Sequence, residues 1–164
     1  MRRETQGADH AEIGVDLGGL ARLYRETGDL AAAERTHREA LAHLRRTLSP
    51  DHEDTIVNLY ALSRLLIRQG RAGEAEPLLR EALAGRRATY PAGHALIAEA
   101  EGQLGACLTA QGRYAEAEVL LEAAYGTLQQ RRGSDHALTR EVRQFLASLY
   151  EAWEKPDLPA RYRP

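Results

Sequence analysis

One heptad of this chain recurs at a fixed interval and constrains everything else. Residues 112–118 read Gly-Arg-Tyr-Ala-Glu-Ala-Glu, residues 70–76 read Gly-Arg-Ala-Gly-Glu-Ala-Glu, and residues 28–34 read Gly-Asp-Leu-Ala-Ala-Ala-Glu. The interval is 42 residues both times. A fixed period of this length marks a stacked repeat, in which each unit buries its apolar face only against its neighbours.

The residues between the heptads read as helix. Leu17, Leu20, Ala21 and Tyr24 share one face at three- and four-residue spacing, and Leu59, Leu62, Ser63 and Leu66 repeat that face one period later. Gly28, Gly70 and Gly112 close the first helix of each unit, since glycine takes the left-handed conformation that a helix end needs. So short a connection makes the two helices antiparallel neighbours. The second helices carry Ala33, Ala40, Leu41 and Leu44, then Ala75, Leu79, Ala82 and Leu83, then Ala117, Leu121 and Ala124. Pro77 stands in the first turns of its helix, where a missing N–H costs least. Asp9, Asp51 and Asp135 each precede a helical pattern and are the expected N-caps. The expected fold is all-α, with antiparallel helix pairs and about seven helices.

The units are expected at 9–50, 51–92 and 93–134, followed by a capping helix at 135–154 and a tail at 155–164. Phe145 and Trp153, the only residues of their kinds, fall in that last helix, where large aromatics suit the closing of an open core. Glu154 takes the place of the turn glycine, and Pro156 and Pro159 stop a partner helix. Arg2-Arg3 matches the basic pairs that close later units. Residues 1–8 therefore read as the remnant of a preceding repeat, which predicts an exposed apolar face on the first helix pair.

Composition excludes several classes. The formal net charge is −2, so bulk charge offers no attraction to nucleic acid or an anionic membrane. All but one of the 22 basic residues are arginine, which fits a GC-rich genome. No apolar run approaches the ~20 residues of a membrane span. The first residues lack the apolar core of a signal peptide. Cys107 is the single cysteine, so no internal disulfide forms, and the expected compartment is the cytoplasm.

Aligning Ala33, Ala75 and Ala117 also aligns Ala40, Ala82 and Ala124, the turn glycines, and Leu20, Leu62 and Leu104. This pattern, over about residues 9–154, resembles the tetratricopeptide repeat in its 42-residue, kinesin-light-chain-like form. The resemblance implies a right-handed superhelical solenoid with a concave groove lined by the first helix of each pair. Residues 95–110, then Gly112 to Tyr125 and Leu149 to Pro156, further resemble repeats attached to bacterial serine/threonine protein kinases. No kinase motif is present, so any kinase domain belongs upstream or to another chain.

Chemistry-bearing residues are few. His10, His52, His94 and His136 stand in strict register, but equivalent positions in stacked helices lie about 10 Å apart, whereas zinc ligands converge to ~2 Å from one metal. A role at the loop-to-helix junction is expected instead, and the Asp51-His52-Glu53-Asp54 cluster reads as a capped helix start. Cys107 lacks a base or a basic setting and reads as core. Glu101 and Arg143 occupy one register position and are expected to pair across repeats. No catalytic residue, metal or cofactor is expected, and no enzymatic activity.

The resemblance places partner binding in the groove, at Arg22, Arg25, Tyr60, Arg64, Ile67 and Arg68, flanked by Val15, Gly18 and Val57. Arginines beside a tyrosine suit an acidic or C-terminal carboxylate peptide. Paired asparagines that grip peptide backbone in the kinesin-light-chain pattern are here Gly18-Gly19, Tyr60-Ala61 and Gly102-Gln103. The expected function is a protein–protein interaction scaffold, in a signalling setting. The alternative is an assembly module that docks through its open N-terminal end.

Overall fold

The computed structural model describes the backbone of residues 2–154 and the side chains of residues 12–154. The described chain forms seven helices: α1 (Arg2–Glu26), α2 (Leu30–Thr47), α3 (Glu53–Arg68), α4 (Ala72–Thr89), α5 (Ala95–Ala110), α6 (Tyr114–Arg132) and α7 (Ala137–Ala152). Each packs on the next, and α3, α5 and α7 also touch side by side, so the first helices form one continuous face. The expected tail, with Pro156 and Pro159, lies outside the described residues.

Three-residue turns join the helices of each pair. Gly28, Gly70 and Gly112 all have φ between 74° and 88°, the left-handed region where a Cβ is penalised. Glu154 stands in the same register and takes the same conformation, φ 53°, without being glycine. The final turn is therefore built despite its residue, at a cost of about 1 kcal/mol.

Helix entry differs from expectation by one residue. Nδ1 of His52, His94 and His136 accepts the backbone N–H of Asp54, Leu96 and Leu138, each at 3.3 Å. These three histidines are N-caps, while Asp51 instead accepts the Thr89 hydroxyl from the end of α4. The first repeat lacks this helix entry. There α1 runs on from Arg2, so Asp9 and His10 lie within the helix and not ahead of it. His10's side chain lies outside the described residues.

The core follows the small-residue register. Ala33, Ala75 and Ala117, and Ala40, Ala82 and Ala124, are completely buried. Leu62, Leu104 and Leu146 are buried between repeats, whereas Leu20 in the same row is 42% exposed. Leu17 and Tyr24 are only half-buried, for the same reason: no earlier helix covers the outer side of α1. Cys107 is core, its thiol donating to the Ala72 carbonyl at 3.3 Å, with burial pushing the thiol up. At the far end Trp153 stacks on Tyr114 with ring centroids 5.7 Å apart.

The period also spaces an ion-pair ladder that pattern reading misses. Arg71 bridges Glu34 of the preceding repeat and Glu74 of its own, both at 2.7 Å. Arg113 repeats this with Glu76 at 2.8 Å and Glu116 at 2.7 Å. Glu76 accepts from the Gln111 amide as well, and from Arg80. Chiefly through that amide, then through Arg80 and Arg113, its carboxyl is lowered from 4.5 to about 2 against the opposing effect of burial. A folded value below the unfolded one means stability present above pH 4.5 and lost as pH falls toward 2. Urea midpoints measured from pH 5 to pH 2 should fall less steeply for Glu76→Gln than for the wild type. Parallel slopes would remove Glu76 as the origin of acid lability.

Candidate functional site

A cleft of about 480 Å³ opens on the face formed by the first helices, between α1 and α3. Its floor is nearly bare backbone at Gly18 and Gly19. Val15 and Val57, equivalent residues one repeat apart, flank it at 44% and 52% exposure. Arg22, Arg25 and Arg64 stand on its walls, with Tyr60 and Glu99 on the α3–α5 side.

Gly18 has a packing cause, whereas a Cβ on Gly19 would meet nothing within 4 Å. A Cβ on Gly18 would fall 2.7 Å from the Asn58 amide nitrogen. That amide cannot withdraw, because Asn58 donates to the Asp54 carbonyl at 3.2 Å and accepts from buried His37 at 2.8 Å. Burial lowers the His37 pKa, so its ring stays neutral and donates through Nδ1. The His37–Asn58 bond ties α2 to α3 directly beneath the cleft.

The expected groove residues divide into three groups. Arg22 and Arg25 are open: both share Glu26 as neighbour, each at 3.9 Å, too long for a hydrogen bond. Arg64 is already occupied. It donates to Gln103 at 3.2 Å and to Glu141 of α7 at 2.6 Å, laying a strap over the small residues of α5. Ile67 packs half-buried against the core, and exposed Arg68 lies a turn beyond the cleft.

Tyr60 departs from expectation. It is buried, not projecting, and lies among the charged groups of Arg86, Glu99 and Glu53. Its hydroxyl has no partner in hydrogen-bond geometry, and burial, reinforced by Glu99, pushes its pKa far up. Nearby Arg86 is fully buried, donates to Glu53 at 2.7 Å and lies 5.9 Å over the Tyr90 ring. The expected Glu101–Arg143 pair does not form; Glu101 takes Arg87, at the end of α4, at 2.9 Å.

Four residues of the site escaped sequence reasoning: His37, Asn58, Glu99 and Glu141. One row carried a signal for two of them. Positions 15, 57, 99 and 141 read Val, Val, Glu, Glu, so one stripe of the face changes from apolar to acidic along the array. Among the described residues no three His, Cys, Asp or Glu side chains converge to hold a metal ion, and no helix is long and apolar enough to cross a membrane.

Comparison with known proteins gives a family match and several fold matches. The profile described as Tetratricopeptide repeat matches residues 15–88 and 96–158. Kinesin-light-chain TPR-like repeats from Podosopora anserina superpose with a TM-score of 0.73 at 24% identity, over 85% of this chain and 66% of that one. A singly substituted form of the same repeats gives 0.73 and 24% over 90% of this chain and 71% of that one. BtubC (BKLC) from P. vanneervenii gives 0.70 at 22% identity, over 97% of this chain and 70% of that one. At these identities the likeness is one of fold. No curated protein matches the chain.

Proposed function

The chain belongs to the tetratricopeptide repeat family, and from that premise we propose that it is a non-enzymatic scaffold holding a peptide or protein segment in the cleft between α1 and α3. Proteins of this repeat type generally mediate protein–protein interactions. The observation that carries the reading is the pairing of open cations with open apolar surface. Arg22 and Arg25 have only Glu26 beside them, at 3.9 Å and beyond hydrogen-bond distance, and Val15 and Val57 stay exposed nearby. An arginine fork is preorganised for a carboxylate, and an adjacent apolar stripe supplies area. Arg64, strapped to Glu141, is a secondary contact. The resemblance of residues 95–110 and 112–125 to repeats of bacterial kinases supports a signalling setting for the scaffold.

A second reading has its own observation. Ile13, Leu20 and Leu23 are 41%, 42% and 57% exposed, although Leu62, Leu104 and Leu146, and Leu65, Cys107 and Leu149, are buried in the equivalent rows. That outer side of α1 would serve docking of a second copy or of another subunit.

One experiment separates the two. Tagged wild type, Arg22→Glu/Arg25→Glu and Leu20→Glu/Leu23→Glu are used to capture partners from a bacterial lysate, after circular dichroism shows equal helix content. A partner lost only from the arginine variant supports the cleft. A partner lost only from the leucine variant supports the open end. A partner kept by all three contradicts both.

A further inference from the structure

We infer that the cleft selects a segment of mixed charge, carrying an acidic residue toward α1, apolar residues over α3 and a basic residue toward α5, in preference to a uniformly acidic one. This deepens the reading above and rests on it.

The charges around the cleft are the starting point. Its walls carry Arg22, Arg25 and Arg64 against Asp54 and Glu99. Arg64 is matched by Glu141, which brings a third carboxylate to the same face. The surface is therefore electrically balanced, and a run of acidic residues would gain at Arg22 and Arg25 what it loses against Glu99.

The balance is sorted in space. Both open arginines lie on α1, and Glu99 lies on α5, with Val57 and Tyr60 of α3 between them. Neighbouring helices stand 8–10 Å apart, so the two ends are separated by roughly 20 Å. An extended chain rises ~3.3 Å per residue, which sets the acidic and basic positions about five to six residues apart.

Glu99 is the residue that asks for a cation. It lines the cleft half-buried and, among the described residues, makes no hydrogen bond or ion pair. Burial pushes its carboxyl up, opposed by Arg86 and reinforced by Glu53 and Glu141, and the two cations acting on it, Arg86 and Arg64, donate to Glu53 and Glu141. A lysine or arginine arriving from the ligand would give this carboxylate the direct partner that it lacks among the described residues. A glutamate or aspartate there would meet it as a like charge. The Val-Val-Glu-Glu row shows that this polarity is built into the repeats themselves: the same position is apolar in repeats one and two and acidic beyond them.

The test is selection from a synthetic library of octapeptides with acetylated N-termini and amidated C-termini, so that terminal charges do not imitate side chains. The targets are the full chain, Glu99→Gln, and Arg22→Gln/Arg25→Gln. Wild type should enrich peptides with an acid and a base separated by apolar residues, bound about tenfold more tightly than all-acidic counterparts. Glu99→Gln should lose the preference for the base while keeping that for the acid. Enrichment of all-acidic peptides, unchanged by Glu99→Gln, would overturn the inference and leave the cleft standing. No enrichment at all, or enrichment indifferent to the arginine substitutions, would overturn the cleft and the inference together.

Discussion

Gly105→Leu lowers stability by about 3 kcal/mol, a fall of roughly 10 °C in melting temperature for a chain of this size. A Cβ built on Gly105 lies 2.6 Å from Leu121 Cγ and 3.4 Å from the Ala117 carbonyl, so even the first added carbon collides. Leu121 is fully buried and sits in the close contact of α5 with α6, leaving nowhere to retreat. The equivalent positions in other repeats are Ala21, Ser63 and Ala147, which tolerate a Cβ. The third pair is therefore close at this register position, and Gly105→Ala should fall between wild type and Gly105→Leu. Thermal unfolding followed by circular dichroism checks the order. Adding Leu121→Ala to Gly105→Leu should recover part of the loss, because it vacates the space the new side chain needs. An unchanged melting temperature for Gly105→Leu would mean that α5 and α6 are not packed as described.

Arg22→Glu/Arg25→Glu weakens binding of the best library octapeptide by about a hundredfold while leaving the melting temperature almost unmoved. Each reversal replaces an attraction with a repulsion at a charge-assisted contact. Neither arginine carries structural work, since both are exposed or half-exposed and their shared neighbour Glu26 is 3.9 Å away. Surface substitutions of this kind move stability by no more than about 0.5 kcal/mol. Arg64→Gln should weaken the same peptide far less, because Arg64 already has Glu141 and Gln103 as partners. Isothermal titration of the three proteins reads both effects. Equal losses for Arg64→Gln and Arg22→Glu/Arg25→Glu would contradict the division between open and occupied arginines.

The architecture was legible because it is written in period. Small residues recur every 42 positions where helices touch, and Ala33, Ala75 and Ala117 are buried as that spacing requires. Polar geometry was less legible. The histidines stand at the loop-to-helix junction as expected, but the cap expected of Asp51 falls to His52, whose ring nitrogen reaches the N–H two residues on. Tyr60 looked exposed because its place on the helix faces the groove. The ring is nevertheless buried, with Arg86 and Glu99 acting on its hydroxyl. Arg64 looked free because its partner, Glu141, is 77 residues away and meets it through the curvature of the stack. Glu101 looked destined for Arg143 by register alone, yet Arg87 is nearer in space. Long side chains choose partners over distances that a register cannot resolve.

The cleft itself is tested most directly by amide chemical-shift mapping of the labelled chain against the best library octapeptide. The account predicts that the largest shifts fall on Gly18, Gly19, Val57 and Ala61, with the outer side of α1 at Ile13, Leu20 and Leu23 undisturbed. Shifts centred on Ile13, Leu20 and Leu23, with Gly18 and Gly19 unmoved, would contradict it.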